Sequence, residues 1–192
     1  MIKTKQDLKD YLKEDSRNYF LQHMSWWKRI KAHLYDTPIS DQTKVWNYIY
    51  VLRHLEYYTN NSTRKGKFHR FAQIYYAHRL RKLSRITGLQ IPPNTCEKGL
   101  TIWHWGTIII NPKVRLGMNC TLHPMVIIGH KQPGGGCPQI GNNVVISGGT
   151  RIIGDISIGN NVVIAPNACV TKNVPNDCVV GGIPASIIKM VI

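Results

Sequence analysis

A histidine stands between two tryptophans in the run Gly99-Leu100-Thr101-Ile102-Trp103-His104-Trp105-Gly106-Thr107. An imidazole changes charge near neutral pH, so His104 is the residue best suited to take a proton from a weak nucleophile such as a hydroxyl. Two more histidines follow: His123 in Thr121-Leu122-His123-Pro124, and His130 at the head of His130-Lys131-Gln132-Pro133-Gly134-Gly135-Gly136-Cys137-Pro138. Three neutral imidazoles are also a zinc ligand set, which makes a zinc enzyme the rival chemistry for His104, His123 and His130. Cys137 has no base beside it to form a thiolate, so it is not expected to act as a nucleophile. The other histidines, His23, His33, His54, His69 and His78, fall among helical patterns, where a surface or satisfied interior role is expected.

What must position these residues is a period of six. Ile110, Leu116, Leu122 and Ile128, then Ile140, Ile146, Ile152, Ile158, Ile164 and Val170, hold one phase. A second small or apolar series runs two residues earlier, through Val114, Cys120, Val126, Val144, Ile156, Val162 and Ala168. The position that fails is Gly134, inside the Gly-rich stretch, so a loop is expected in place of one repeat. A hexapeptide repeat is the mark of a parallel β-helix, whose short strands bury alternate residues and turn at small corner residues. Strands of an ordinary sandwich recur at eight to twelve residues and drift. Counting back by sixes from Ile110 places His104 inward, as a core residue. Trp103, Trp105 and Gly106 suit an irregular corner instead, and the two readings stay open on sequence.

The first ninety residues read as helical. Thr4-Lys5-Gln6-Asp7 has the spacing of a capping box, with Leu8, Tyr11 and Leu12 on one face. Met24, Trp27, Ile30 and Leu34 form a second stripe. Val45, Tyr48, Ile49, Leu52 and Leu55 predict a helix over about 41–58, capped by Ser40 or Asp41. Phe68, Phe71, Ile74, Tyr75 and His78 predict another over about 65–85, ending near Gly88, with packing the expected role of the aromatics. Residues 59–66 read as the turn between them. Ile91-Pro92-Pro93-Asn94 then breaks the pattern and opens the β part. The organisation expected is α+β, with helices over 1–90 and the β-helix over 91–192.

The net charge is +15, and residues 1–98 carry nineteen Lys and Arg against eight acids. Such a field attracts phosphates or other anions, which keeps a basic anion-binding module among the readings. The polar start does not resemble a signal peptide, and no apolar run reaches spanning length. Five cysteines without a Cys-x-x-Cys pair are expected to be reduced thiols in a cytoplasm.

Beyond the repeat, the His104 run, Cys120–Gly129, the Gly-rich loop, the restart Pro138-Gln139-Ile140-Gly141-Asn142-Asn143-Val144 and the closing Gly182-Ile183-Pro184-Ala185 together resemble the serine acetyltransferase family of hexapeptide-repeat acyltransferases. The resemblance covers 88–190 well and the N-terminal helices loosely. It implies a left-handed β-helix, a homotrimer, and transfer of an acetyl group from acetyl-CoA to a hydroxyl, with His104 as general base and no metal. It also implies that Gly129 and the following loop offer backbone N–H groups to the oxyanion, and that Gly148, Gly149, Ala165 and Pro166 border the pantetheine groove between neighbouring solenoids, with Lys172 and Lys189 as partners for CoA phosphates. Trp103, His123 and Cys137 are implied to line the acceptor site. Neither nucleic acid nor a membrane is an expected partner.

Two departures bear on the acceptor. Trp103 stands where the family has an acid, and Gly136-Cys137 replaces the Arg-His pair that engages serine. The bidentate anchor for an amino-acid carboxylate is thus missing, unless His123 or Lys131 replaces it. An apolar Trp-His-Trp floor also suits a sugar ring. L-serine, in cysteine biosynthesis, and a sugar hydroxyl, in surface-polysaccharide biosynthesis, are the two acceptor readings. A zinc enzyme like the γ class of carbonic anhydrases is the more distant one.

Overall fold

In the computed structural model the described residues are 1–19, 40–61 and 66–191. Three helices come first: α1 (Lys5–Ser16), α2 (Ser40–Asn61) and α3 (Gly66–Thr87). The capping box of α1 is present, with the Asp7 N–H donating to Thr4 Oγ1 at 3.0 Å and the Thr4 N–H to Asp7 Oδ2 at 2.9 Å. The helix read over 41–58 is α2, and Val45, Tyr48, Ile49, Leu52 and Leu55 are all buried. α3 stops where expected, and the Gly88 N–H bonds the Ser84 carbonyl at 2.8 Å. Its apolar stripe, however, is not packed. Phe68, Phe71, Ile74 and Tyr75 are exposed, and the helix is held by the opposite face, through Tyr76, Leu80 and Leu83. The stripe 24–34, His23 and His33 lie outside the described residues, as does part of the 59–66 turn.

From residue 89 the chain winds through fourteen short strands, β1 (Leu89–Gln90) to β14 (Ala185–Met190). Successive strands visit three sheets in turn. The first sheet is β1, β3 (Ile108–Ile110), β6 (Val126–Gly129), β9 (Arg151–Ile153) and β12 (Cys169–Val170). The second holds β4 (Arg115–Leu116), β7 (Gln139–Ile140) and β10 (Ser157–Ile158). The third holds β2 (Thr101–Ile102), β5 (Thr121–Leu122), β8 (Val145–Ile146), β11 (Val163–Ile164), β13 (Cys178–Gly182) and β14. All pairings are parallel except β13 with β14. This is the left-handed parallel β-helix, a three-sided prism.

Both six-residue series point inward and are buried. Ile140 pairs with Ile158 and Ile146 with Ile164, one coil of eighteen residues apart. Leu116 pairs with Ile140 and Leu122 with Ile146, twenty-four apart. The surplus six residues are the Gly-rich loop between β6 and β7, as the failed phase at Gly134 predicts. Corners between the second and third sheets carry asparagines in the left-handed region. Asn119 donates to Asn143 at 3.2 Å, Asn143 to Asn161 at 2.9 Å, and Asn161 to Asp177 at 2.7 Å. At the same corners a Cβ on Gly141 would stand 2.7 Å from the Gly159 carbonyl oxygen, which leaves room for glycine alone.

A solenoid has two open ends, and an unpaired strand edge in water invites further pairing. At the late end β14 folds back along β13. At the early end the helices supply the missing partners. The Tyr48 hydroxyl accepts from the Ile91 N–H at 2.9 Å, and the Tyr19 hydroxyl from the Ile102 N–H at 2.8 Å. Asp15 accepts from the Gly99 and Leu100 N–H groups at 2.7 and 2.9 Å, and Glu56 from the Asn94 N–H at 2.8 Å. Arg53 donates to the Cys96 and Glu97 carbonyls at 2.7 and 2.9 Å. Helices and coil thereby share one hydrophobic cluster, running from Tyr19 to Val180.

Candidate active site

The corner between the third and first sheets collects most of the residues singled out for chemistry. Its lowest turn is Trp103–Gly106, between β2 and β3. Ile102 pairs with Leu122 and Ile110 with Ile128, so eight residues separate the two inward positions in this coil and six in the next. The two extra residues break the phase, which is why counting back by sixes misplaces His104. His104 is exposed at the corner, with Trp103 39% and Trp105 44% exposed beside it.

The turn is fastened below and above. The Gly106 N–H donates to the Thr87 carbonyl at 2.9 Å and the Ile108 N–H to the Gly88 carbonyl at 3.2 Å, which ties the corner to the end of α3. Gly106 has φ 151°, and a Cβ there would lie 3.0 Å from the Pro124 Cβ in the turn above. Only a residue without a side chain lets the two corners stack this closely. Among the described residues no group hydrogen-bonds the His104 imidazole, and the residue is exposed.

Above it on the same corner come His123–Met125, then Ser147–Thr150, then Ala165–Ala168. The His123 N–H bonds the Ile146 carbonyl at 3.0 Å, and His123 is half-buried. The Gly149 N–H reaches the Pro124 carbonyl at 3.1 Å and the Asn167 N–H the Gly148 carbonyl at 2.9 Å. Buried Thr150 donates to the Ser147 carbonyl at 2.7 Å. Arg151 braces the stack from its outer strand position, giving Nη1 to the Met125 and Gly149 carbonyls at 2.6 and 2.8 Å. Strand spacing did not single it out, because an outward position does not say where a long side chain reaches.

Trp103, His104, His123, Gly148, Gly149, Ala165 and Pro166 therefore share one edge of the prism. Gly129 and the loop to Cys137 lie on the next edge, between the first and second sheets, as does exposed Lys172. There His130 Nδ1 sits 2.8 Å from Asn111 Nδ2. Lys189 is exposed on β14. Cys137 corrects its expectation: it is 4% exposed and packed into the solenoid core, because the chain has already re-entered the coil one residue before Pro138. It does not line a surface site within this chain. The zinc set is not assembled within one chain either, since His130 is on a different edge from His104 and His123. Among the described residues no three His, Cys, Asp or Glu side chains cluster as metal ligands.

The five cysteines form no disulfide. Burial pushes the Cys96 thiol up to about 12 and Cys120 up to about 11, so both stay protonated in the core. Among the described residues, no helix is long and apolar enough to cross a membrane.

Residues 137–172 match the family described as bacterial transferase hexapeptide (six repeats). In sequence and fold the chain is serine acetyltransferase-like. It is 34% identical over 131 residues to the serine acetyltransferase of Synechococcus elongatus, across 62% of this chain and 54% of that one. It is 35% identical over 127 residues to that of Staphylococcus epidermidis, across 64% and 60%. The chain thus spans little more than half the length of these relatives. Among solved structures, serine acetyltransferase from Brucella abortus strain S19 superposes with TM-score 0.70 at 20% identity, covering 97% of this chain and 71% of that one. A serine acetyltransferase in complex with CoA gives TM-score 0.70 at 19% identity, covering 96% and 71%. A Neisseria gonorrhoeae serine acetyltransferase in complex with serine gives 0.65 at 20%, covering 96% and 70%. These likenesses establish the fold.

Proposed function

We propose that the chain is an acetyl-CoA-dependent O-acetyltransferase, with residues 91–192 as its catalytic coil, residues 1–90 as its helical part, and His104 as general base. The observation that carries this reading is the corner itself: an exposed histidine with unengaged ring nitrogens, set directly below His123 and a column of small residues. His104 removes the acceptor's hydroxyl proton as the oxygen attacks the thioester carbonyl. A tetrahedral oxyanion forms and collapses, expelling the CoA thiolate, which is then protonated. In the small-residue corners the N–H groups of Ser147, Gly149, Thr150, Ala165 and Asn167 already bond carbonyls, which leaves the Gly148 N–H as the donor suited to the oxyanion. Relatives named serine acetyltransferases, one solved with CoA and one with serine, support acetyl-CoA as donor and serine as an acceptor. Trp103 and Trp105, exposed on either side of His104, favour a sugar hydroxyl as the alternative acceptor, since flat rings stack on a sugar face. Acceptor-dependent release of CoA from acetyl-CoA tests the activity directly.

The working unit we propose is a homotrimer with sites shared between chains. The two faces that meet at the His104 edge carry half-buried aliphatics outward, Ile109 and Ile127 on one, Val145, Val163 and Val179 on the other. The third face presents Arg115, Gln139 and Ser157, all exposed. Apolar flanks around a polar edge suit burial against neighbouring coils. A trimer also gives Gly129, Lys172 and the Gly-rich loop a route to the site, from the adjacent chain. Light scattering is expected to read three chain masses. An active monomer at working concentration contradicts shared sites.

A further inference from the structure

Among the described residues, α3 packs through one face, that of Tyr76, Ala77, Leu80 and Leu83. Its free face carries Phe68, 72% exposed, Phe71, 71%, Ile74, 59%, and Tyr75, 56%. At 100° per residue these side chains lie opposite Tyr76, Leu80 and Leu83, the residues that pack. Lys67, Arg70 and Lys82 are exposed on the same outward side, Arg81 and Arg85 line the groove between the helix and the first coil, and the helix contains no Asp or Glu. Large rings held in water lose the stabilisation that burial brings, and an all-basic helix repels itself. Both features call for an occupant, and together they define its chemistry. A second copy of this face buries the rings but sets like charges against one another. A nucleic acid satisfies the charges and stacks bases on the rings, but leaves Ile74 without a partner. A bilayer surface rich in anionic headgroups satisfies both, with rings at the acyl boundary and basic side chains on the phosphates.

We propose that α3 is an interfacial membrane-binding helix that lies flat on an anionic lipid surface without crossing it. The sequence alone favoured packing for these aromatics and no membrane partner; their exposure reverses that expectation. The C-terminal end of α3 is hydrogen-bonded through Thr87 and Gly88 to the Gly106 and Ile108 N–H groups. A helix lying in the interface therefore places the His104 corner beside the bilayer. This last consequence rests on the proposed acetyl-transfer role, while lipid binding stands without it.

The test is flotation of the full chain with vesicles of phosphatidylglycerol and phosphatidylcholine, against phosphatidylcholine alone. Binding is expected to the anionic vesicles and to fall about tenfold or more in the double substitutions Phe68→Ser with Phe71→Ser, and Lys67→Glu with Arg70→Glu. All four side chains are exposed, so melting temperatures are expected to stay near that of the wild type. Wild-type protein that remains unbound to anionic vesicles overturns the proposal. So does flotation of both variants at the wild-type level. Two other results overturn it in favour of other occupants: RNA binding without vesicle binding, or loss of an oligomer on the phenylalanine substitutions without vesicle binding. Acetyl transfer to a soluble acceptor, measured on the same samples, reports on the catalytic reading separately.

Discussion

His104→Ala is expected to lower turnover by about a hundredfold or more, the usual worth of a positioned general base, and to leave acetyl-CoA affinity nearly unchanged. The imidazole stands outside the core, on a turn whose backbone is held through Gly106 and Pro124, so its removal leaves no cavity and no orphaned partner. Melting temperature should therefore stay close to that of the wild type. His123→Ala, one turn above, is expected to act mainly on the acceptor's KM. The combination of turnover, CoA affinity and melting temperature on one His104→Ala sample separates the roles. Full turnover in a folded variant removes His104 from the mechanism, and a joint collapse of all three makes it a structural residue.

The largest stability effect is expected at Arg53. Its guanidinium is fully buried, 2.7 Å from Asp15 and 3.0 Å from Glu56, and lies 5.0 Å from the centre of the Tyr11 ring. Burial pushes the Glu56 carboxyl above its ordinary range, against the pull of Arg53 and the Asn94 N–H. Arg53→Met removes the only cation facing two buried carboxylates among the described residues, along with two bonds to strand carbonyls. Breaking one side of such a pair costs about 3–5 kcal/mol, which here corresponds to a melting temperature lowered by roughly 10 °C. Adding Asp15→Asn and Glu56→Gln to Arg53→Met should restore part of the loss, because the residual buried charge is then gone. A variant that melts with the wild type contradicts the view that the helices seal the open end of the coil.

The coil was legible because its physics is periodic. A strand that buries alternate residues and turns every sixth leaves the same mark ten times, and even the inserted loop shows as one failed phase at Gly134. The Thr4–Asp7 cap and the end of α3 at Gly88 were legible for a similar reason, since local hydrogen bonds need particular residues at fixed spacing. Long-range choices left no such mark. Phe68, Phe71, Ile74 and Tyr75 have helical spacing whether the stripe faces a core or a solvent, and here Leu80 and Leu83 take the core. Arg53, Asp15 and Glu56 look like ordinary surface charges in sequence; they are buried because the first coil offers bare backbone groups that only the fold brings to them. At the site, the two extra residues between Ile102 and Ile110 hid the position of His104, while inward Cys137 shows that a loop residue can already belong to the coil.

The most direct measurement is release of CoA from acetyl-CoA by the full chain, followed by thiol detection, with L-serine and with a panel of sugars and nucleotide sugars, and with the mass of the acetylated product determined. CoA release that depends on a hydroxyl acceptor, with one acetyl group gained by that acceptor and the rate lost in His104→Ala, is the predicted result. Failure of the folded protein to bind acetyl-CoA, or release that proceeds equally in His104→Ala, contradicts the account.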